Sequence, residues 1–440
     1  MNYRLPVGFV TLLIAVAGCS GVANLPSGPG NQTAFSPAVL VSGRTVRSRP
    51  GASANFQVVY TFQDSADGGN PFAGLTIDRA GNLYGTTSSG GSGYGTAFEL
   101  KNTAKGYKYV VLHTFAGGSD GANPYARLMP GAGGKLYGTT VNGGGGAGTV
   151  FELLPGKAPR SERVLYAFTQ SVQGANPSAG DLTIDSNGAI YGTTQYGGAY
   201  GQGTVFKLSP SKGVDKEKVL YSFGANSYDG TQPYAGVTLD RAGNIYGTAA
   251  LGGQGYGTVF ELTPSKSGWT EQIIHTFGNV SDGGTPYAGL SFDAQGNLFG
   301  ATTQGPGSAG GTFFELTPAN GSWSFNTIYS LPGWGISGEF RTAYLDPNDN
   351  IFGTTHCDGQ YSSGSVYELQ RSGSTYNYVD LYDFTGGTDG QYVFSNPAFD
   401  SHGNIFGTTN VGGSGYGVVW EVRAAGKNRR APRVTSTVPG

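Results

Sequence analysis

The residues best suited to chemistry lie between Trp334 and Asp358: Trp334, Glu339, Arg341, His356, Cys357 and Asp358. Imidazole titrates near neutral pH, so His356 beside Glu339 or Asp358 is a candidate general acid–base set. Two carboxylates at a suitable separation would also serve glycan hydrolysis. Trp334 offers an indole face for stacking a ligand, and Arg341 a fork of donors. Cys357 is a weaker nucleophile candidate, because nothing near it in sequence would lower its pKa. The competing reading is drift in one degenerate copy of a repeat, and no catalytic residue is assigned.

A second set recurs along the chain. Asp67, Asp120, Asp229, Asp282 and Asp389 each precede a glycine, and Phe72, Tyr125, Tyr234 and Tyr287 each follow a proline. Aromatic faces with nearby carboxylates suit sugar rings, so these four aromatics, with Trp334 and Arg341, are the candidate ligand-binding residues. Asp-Gly is equally a turn and Tyr a packing residue between units, and repetition in most copies favours that structural role. Other motif matches carry little. Gly117-Gly118-Ser119-Asp120-Gly121 fits a nucleophile elbow but lies between strands, with no helix to follow. Gly305 to Gly310 fits a dinucleotide fingerprint and also lacks a helix. The Gly-Gly-x-Gly loops lack the aspartate that would ligate calcium, and four histidines show no zinc spacing. No metal and no cofactor is expected.

These residues are positioned by a repeat. The core Tyr84-Gly85-Thr86-Thr87 returns at Tyr137, Tyr191, Tyr246, Phe299, Phe352 and Phe406, at spacings of 53, 54, 55, 53, 53 and 54 residues. A period that regular, carried by β-formers and glycine, marks one small β unit repeated around a ring. In the copy from Gly236 to Phe277, strand A spans 236–240, strand B 244–248, strand C 257–262 and strand D 269–277, with a tight turn at Asp240 to Asn244. The strands are apolar on both faces, as in Val-Phe-Glu-Leu, so each sheet must be sandwiched by neighbours. A D strand at Phe56 to Phe62 precedes any A, B or C, and the last copy stops after C at Val422. Seven complete units exist only if the first strand joins the last copy. The expectation is an all-β, seven-bladed β-propeller of four-stranded antiparallel blades, residues 56–424, closed by that strand and free of sheet edges. An open β-solenoid would not need the displaced strand.

Composition narrows the function. The formal net charge is −2 and charged residues are 12% of 440, so no basic excess points to nucleic acid. Arg4 and the apolar run Val7 to Gly18, too short to span a bilayer, end at Val16-Ala17-Gly18-Cys19. That is the form of a bacterial lipoprotein signal (residues 1–18) with lipidation at Cys19. Residues 19–55 read as a flexible tether. The 36 residues from Ser20 to Asn55 would reach roughly 30–36 Å. Residues 425–440 read as a loose basic tail. The expected location is the bacterial cell envelope, at the outer membrane or cell surface, and the expected state a monomeric ring.

The pattern Val219 to Phe223, Asp282 to Leu290, Asp240 to Thr248 and Gly257 to Leu262 resembles the bacterial "choice-of-anchor" GloVer tandem-repeat family. The resemblance covers about 370 residues and recurs in every copy. It implies surface attachment, here by lipid, and it assigns no reaction. The first functional expectation is an envelope-anchored binding or scaffold propeller for a glycan or a protein partner. The alternative is an extracellular polysaccharide-acting enzyme with its site on the sixth-blade rim or in the central funnel.

Overall fold

The computed structural model describes residues 55–177, 180–209, 216–266, 268–278, 281–306, 310–331, 342 and 344–424. Cys19, Trp334, Glu339 and Arg341 lie outside these residues, as do the signal, nearly all of the tether and the tail.

Seven four-stranded antiparallel sheets form a seven-bladed propeller. Blade one contains Thr76–Ile77 (A), Leu83–Thr87 (B), Thr96–Thr103 (C) and Gly106–Thr114 (D). Blade four contains Thr238–Leu239, Ile245–Ala249, Thr258–Ser265 and Gly268–Thr276. In blade seven the first strand, Phe56–Thr61, pairs with Val418–Val422, completing a sheet with Ile405–Thr409 and Ala398–Phe399. The ring is thus closed by the displaced strand.

The Tyr-Gly-Thr-Thr core has a physical reason at each position. The tyrosine hydroxyl of Tyr246 reaches Asp240 Oδ2 at 3.3 Å and Glu261 Oε1 at 2.8 Å, tying strand B to the A–B turn and to strand C. The glycine admits an aromatic ring: a Cβ on Gly247 would lie 2.5 Å from Phe260 Cζ. The first threonine donates to the stretch leading into strand A of the next blade, as Thr248 Oγ1 does to the Ala288 carbonyl at 2.8 Å and Thr408 Oγ1 to the Ala73 carbonyl at 2.9 Å. The second pairs with the first threonine of strand C, as Thr87 does with Thr96 at 2.9 Å. The motif therefore recurs because it joins strands within a blade and blades to one another.

The turn after strand A is equally regular. Asp240 Oδ1 accepts from the Ala242 and Asn244 amides at 2.8 and 2.9 Å, and Gly243 sits at φ 84°. Asp349 fills the glycine slot in blade six at φ 59°, as its tolerance of left-handed backbone allows. Strand A is shorter than the sequence pattern implies. Only Thr238 and Leu239 pair with strand B, because the carbonyls of Ala235 and Val237 are taken by Thr193 and Thr183 of blade three.

The hydrophobic cores lie between blades. One cluster joins Tyr191, Val205 and Phe223 of blade three to Ile245 and Phe260 across the interface with blade four. Phe62, Phe115, Phe168, Phe223, Phe277 and Phe384, each closing a D strand, are fully buried. Each contributes about 1.5–3 kcal/mol by leaving water.

Candidate functional site

The innermost strands come close together because strand A carries glycine where the blades crowd the axis. A Cβ on Gly180 would lie 2.4 Å from the Gly236 amide nitrogen, and one on Gly236 would lie 2.1 Å from the Asp181 carbonyl oxygen. Four departures occur at or beside this register. Blade two has Arg127 in Ala-Arg-Leu, blade three inserts Asp181 after Gly180, blade six has Thr342, and blade seven has Asn396. All four line one central cavity of about 770 Å³. It extends from the A–B turns, at Ser186, Asn187 and Arg241, inward to Tyr287.

Arg127 organises the polar wall. Its Nη2 lies 2.9 Å from Asp181 Oδ2, its Nη1 donates to the Tyr344 hydroxyl, and its backbone amide donates to Asp181 Oδ1 at 3.2 Å. Its guanidinium carbon also lies 5.9 Å from the centre of the Tyr344 ring. Burial opposes the charge on Arg127, but Asp181 and Tyr344 more than offset it and hold the pKa above its usual value. The pair is electrically neutral and partly open to the cavity, with side-chain exposures of 14% and 23%. The remaining wall mixes Leu182, Val237, Leu290 and Phe292 with these polar groups. A neutral hydroxylated molecule fits such a wall. One hydroxyl can accept from guanidinium and donate to carboxylate, and C–H faces can lie on the apolar residues.

The aromatic residues singled out in the sequence pack against rings of neighbouring blades. Phe72 stacks on Phe394 at 4.3 Å and meets Tyr125 at 4.9 Å, and Tyr234 meets Tyr287 edge-on at 4.9 Å. Tyr234 is buried, and burial raises the pKa values of Tyr125 and Tyr287. Of the four, Tyr287 lines the cavity.

The five Asp-Gly aspartates hold their own turns. Asp229 accepts from the Gly224 and Ala225 amides at 2.7 and 2.9 Å and from the Tyr221 hydroxyl at 3.1 Å. Asp67 binds Tyr60, Asp120 binds His113, Asp282 binds His275, and Asp389 binds Tyr382.

In blade six the described members of the chemical cluster do not form one acid–base set. His356 is buried against Phe394, with ring centres 4.0 Å apart, and against Tyr392 at 4.8 Å. Burial lowers its pKa to about 3, so the imidazole stays neutral through the ordinary pH range. Asp358 lies instead near Asp383, with burial raising its pKa. Asp380 joins them, its pKa raised by burial and then by Asp383. Asp380 and Asp383 escaped the sequence reading because they sit on strand D, Thr375–Asp383, far from the His-Cys-Asp stretch. Among the described residues no group of three or more His, Cys, Asp or Glu side chains could hold a metal ion.

Arg127, Asp181, Thr342, Tyr344 and Asn396 also escaped it. Their signal was present: superposing the Ala-Gly-Leu copies isolates Arg127, Thr342 and Asn396 at the glycine register and Asp181 as an insertion beside it.

Ring, interleaved closure and central cavity define a seven-bladed propeller repeat protein. The Gloeobacter/Verrucomicrobia repeat matches residues 41–254, 158–345 and 236–435, and the chain belongs to that family. No curated protein sequence matches it. Solved structures with similarity include a nidogen/laminin complex, at 15% identity over 68% of this chain and 92% of that chain, with TM-score 0.41. A putative oxidoreductase (glucose dehydrogenase) from Thermus thermophilus is 15% identical over 74% of this chain and 98% of that one, with TM-score 0.43. An ulvan lyase representing a new polysaccharide lyase family is 12% identical over 80% and 92%, with TM-score 0.47.

Proposed function

We propose that this protein is a lipid-anchored binding module of the bacterial envelope, tethered through Cys19, that receives a neutral saccharide in its central cavity. The observation that carries this reading is the convergence of Arg127, Thr342 and Asn396, which stand where other blades have glycine, and of Asp181, inserted beside that glycine, on the wall of one cavity. Strand-A glycine serves the fold, so residues that replace it and enclose space serve something else. The neutral Arg127–Asp181 pair selects hydroxyls over a net anion or cation.

Calorimetric titration of the full-length chain with neutral mono- and disaccharides tests the reading, with product analysis alongside. Binding without turnover, weakened at least tenfold by Tyr344→Phe or Arg127→Lys, is the expected result. Absence of binding to all of them, or binding indifferent to both variants, would overturn it. Turnover abolished by the cavity variants would make the protein an enzyme with its site in the funnel.

A further inference from the structure

The face opposite the cavity mouth has its own chemistry. The B–C loops and the D–A connections share this face and are bridged there, as in Gly69 with Ser89 and Ala122 with Asn142. Four tyrosines in the B–C loops of four blades are exposed, Tyr94, Tyr200, Tyr361 and Tyr416, by 44, 54, 51 and 38%, with the Tyr94 ring lying over Gly117. Tyr228, in a D–A connection, is exposed by 76%.

Three observations narrow the partner. First, among the described residues, no lysine or arginine lies in these loops and connections except Arg127, which is committed to the cavity wall. Asp67, Asp120, Asp229, Asp282 and Asp389 are engaged within their own turns. The described part of this face therefore offers no cation to an acidic polymer or nucleic acid. Second, the tyrosines stand on a fixed frame. The Tyr94 and Tyr416 carbonyls accept from the Asn123 and Asn70 amides of the next blade, each at 2.8 Å. A tyrosine on such a frame loses little conformational entropy when it stacks. Third, the described ends of the ring leave from the opposite side. The Arg423 amide donates to the Asn55 carbonyl at 2.8 Å, and the Ala424 amide to Asn404 Oδ1, in an A–B turn, at 3.1 Å. The tyrosine face is clear of both.

We infer that this face docks a neutral polysaccharide chain, with Tyr94, Tyr200, Tyr228, Tyr361 and Tyr416 stacking on successive or parallel sugar rings. The inference shares with the cavity reading only the chemical class of the ligand. It uses different residues on the other side of the ring, and it requires a polymer.

Affinity electrophoresis of the full-length chain through gels containing β-glucan, mannan or xylan tests it, with alginate as the acidic control. The wild type should be retarded by at least one neutral polymer and not by alginate alone. The quadruple variant Tyr94→Ala, Tyr200→Ala, Tyr361→Ala, Tyr416→Ala should lose at least tenfold in retardation. The matching Tyr→Phe set, which keeps the ring faces, should keep it. Tyr344→Phe, which acts in the cavity, should leave retardation intact, whereas the quadruple variant should leave small-saccharide titration intact. Failure of the polymer result with titration preserved sinks this inference alone. Retardation by no neutral polymer, by alginate alone, or to an equal extent in the quadruple alanine variant overturns it.

Discussion

The two faces of this ring are made from the same repeat and differ sharply in their basic residues. On the face of A–B turns and C–D hairpins stand Arg79, Lys105, Lys135, Lys157, Arg160, Arg241 and Lys266, while the described B–C and D–A loops carry no basic residue besides the cavity's Arg127. Backbone constraint explains the difference. On the tyrosine face six described junctions are sewn through a residue with positive φ before strand A: Asn70, Asn123, Asn176, Gln232, Thr285 and Tyr392, at φ 53–60°. Each donates its amide to the preceding blade's B–C loop. That seam requires tight turns rich in glycine. The hairpin face has no such seam, so charge and length vary there. The difference teaches that regular positions in this molecule serve the ring, and that candidate binding chemistry lies where one blade departs from the rest.

The largest expected effect is on the cavity side. Arg127→Met removes the cation facing Asp181 and should cost about 3 kcal/mol in urea unfolding, at the low end for a broken buried pair because Asp181 keeps 23% of its side-chain exposure. Saccharide binding should fall with it. A loss below about 1 kcal/mol would show that the pair is solvated. Next comes the seam side. Asp229 is 2% exposed and accepts three hydrogen bonds, so Asp229→Ala should cost about 2 kcal/mol while leaving cavity binding unchanged. An equal loss of binding would show that the two faces are coupled. Between the faces, Thr248→Val leaves the Ala288 carbonyl without its hydroxyl donor and should cost about 1 kcal/mol, read from the unfolding midpoint.

A pH-dependent effect concerns the outer strands. Burial raises the pKa values of Glu162, Glu217 and Glu271 from 4.5 to about 7. The folded ring therefore holds protons that the unfolded chain has released, so these groups make stability fall as pH rises from about 4.5 to 7, with no further change above. Replacing all three by Gln should flatten that part of the slope relative to wild type. A difference between the two proteins that does not vary with pH in this window would refute the assignment.

Much of the ring was legible in the sequence because its signals repeat. The Tyr-Gly-Thr-Thr period, the Asp-x-x-Gly-Asn turns and the D strand placed before the first A all report local rules, and seven copies average out drift. Strand A was read too long because the carbonyls of Ala235 and Val237 accept from threonine side chains of the neighbouring blade, which a single copy cannot reveal. The cavity was missed for the opposite reason. Arg127 and Tyr344 are 217 residues apart and meet only once the ring closes, and each looks like an isolated departure in its own copy. His356 illustrates a third limit. Its neighbours in sequence are Cys357 and Asp358, but its neighbours in space are Phe394 and Tyr392, and that burial decides its protonation.

A crystal structure of the ring grown with the tightest-binding neutral disaccharide would test the central claim most directly. The account predicts sugar density in the central cavity, with hydroxyls within hydrogen-bonding distance of Arg127 and Asp181. An empty cavity beside a sugar bound elsewhere on the ring would contradict it.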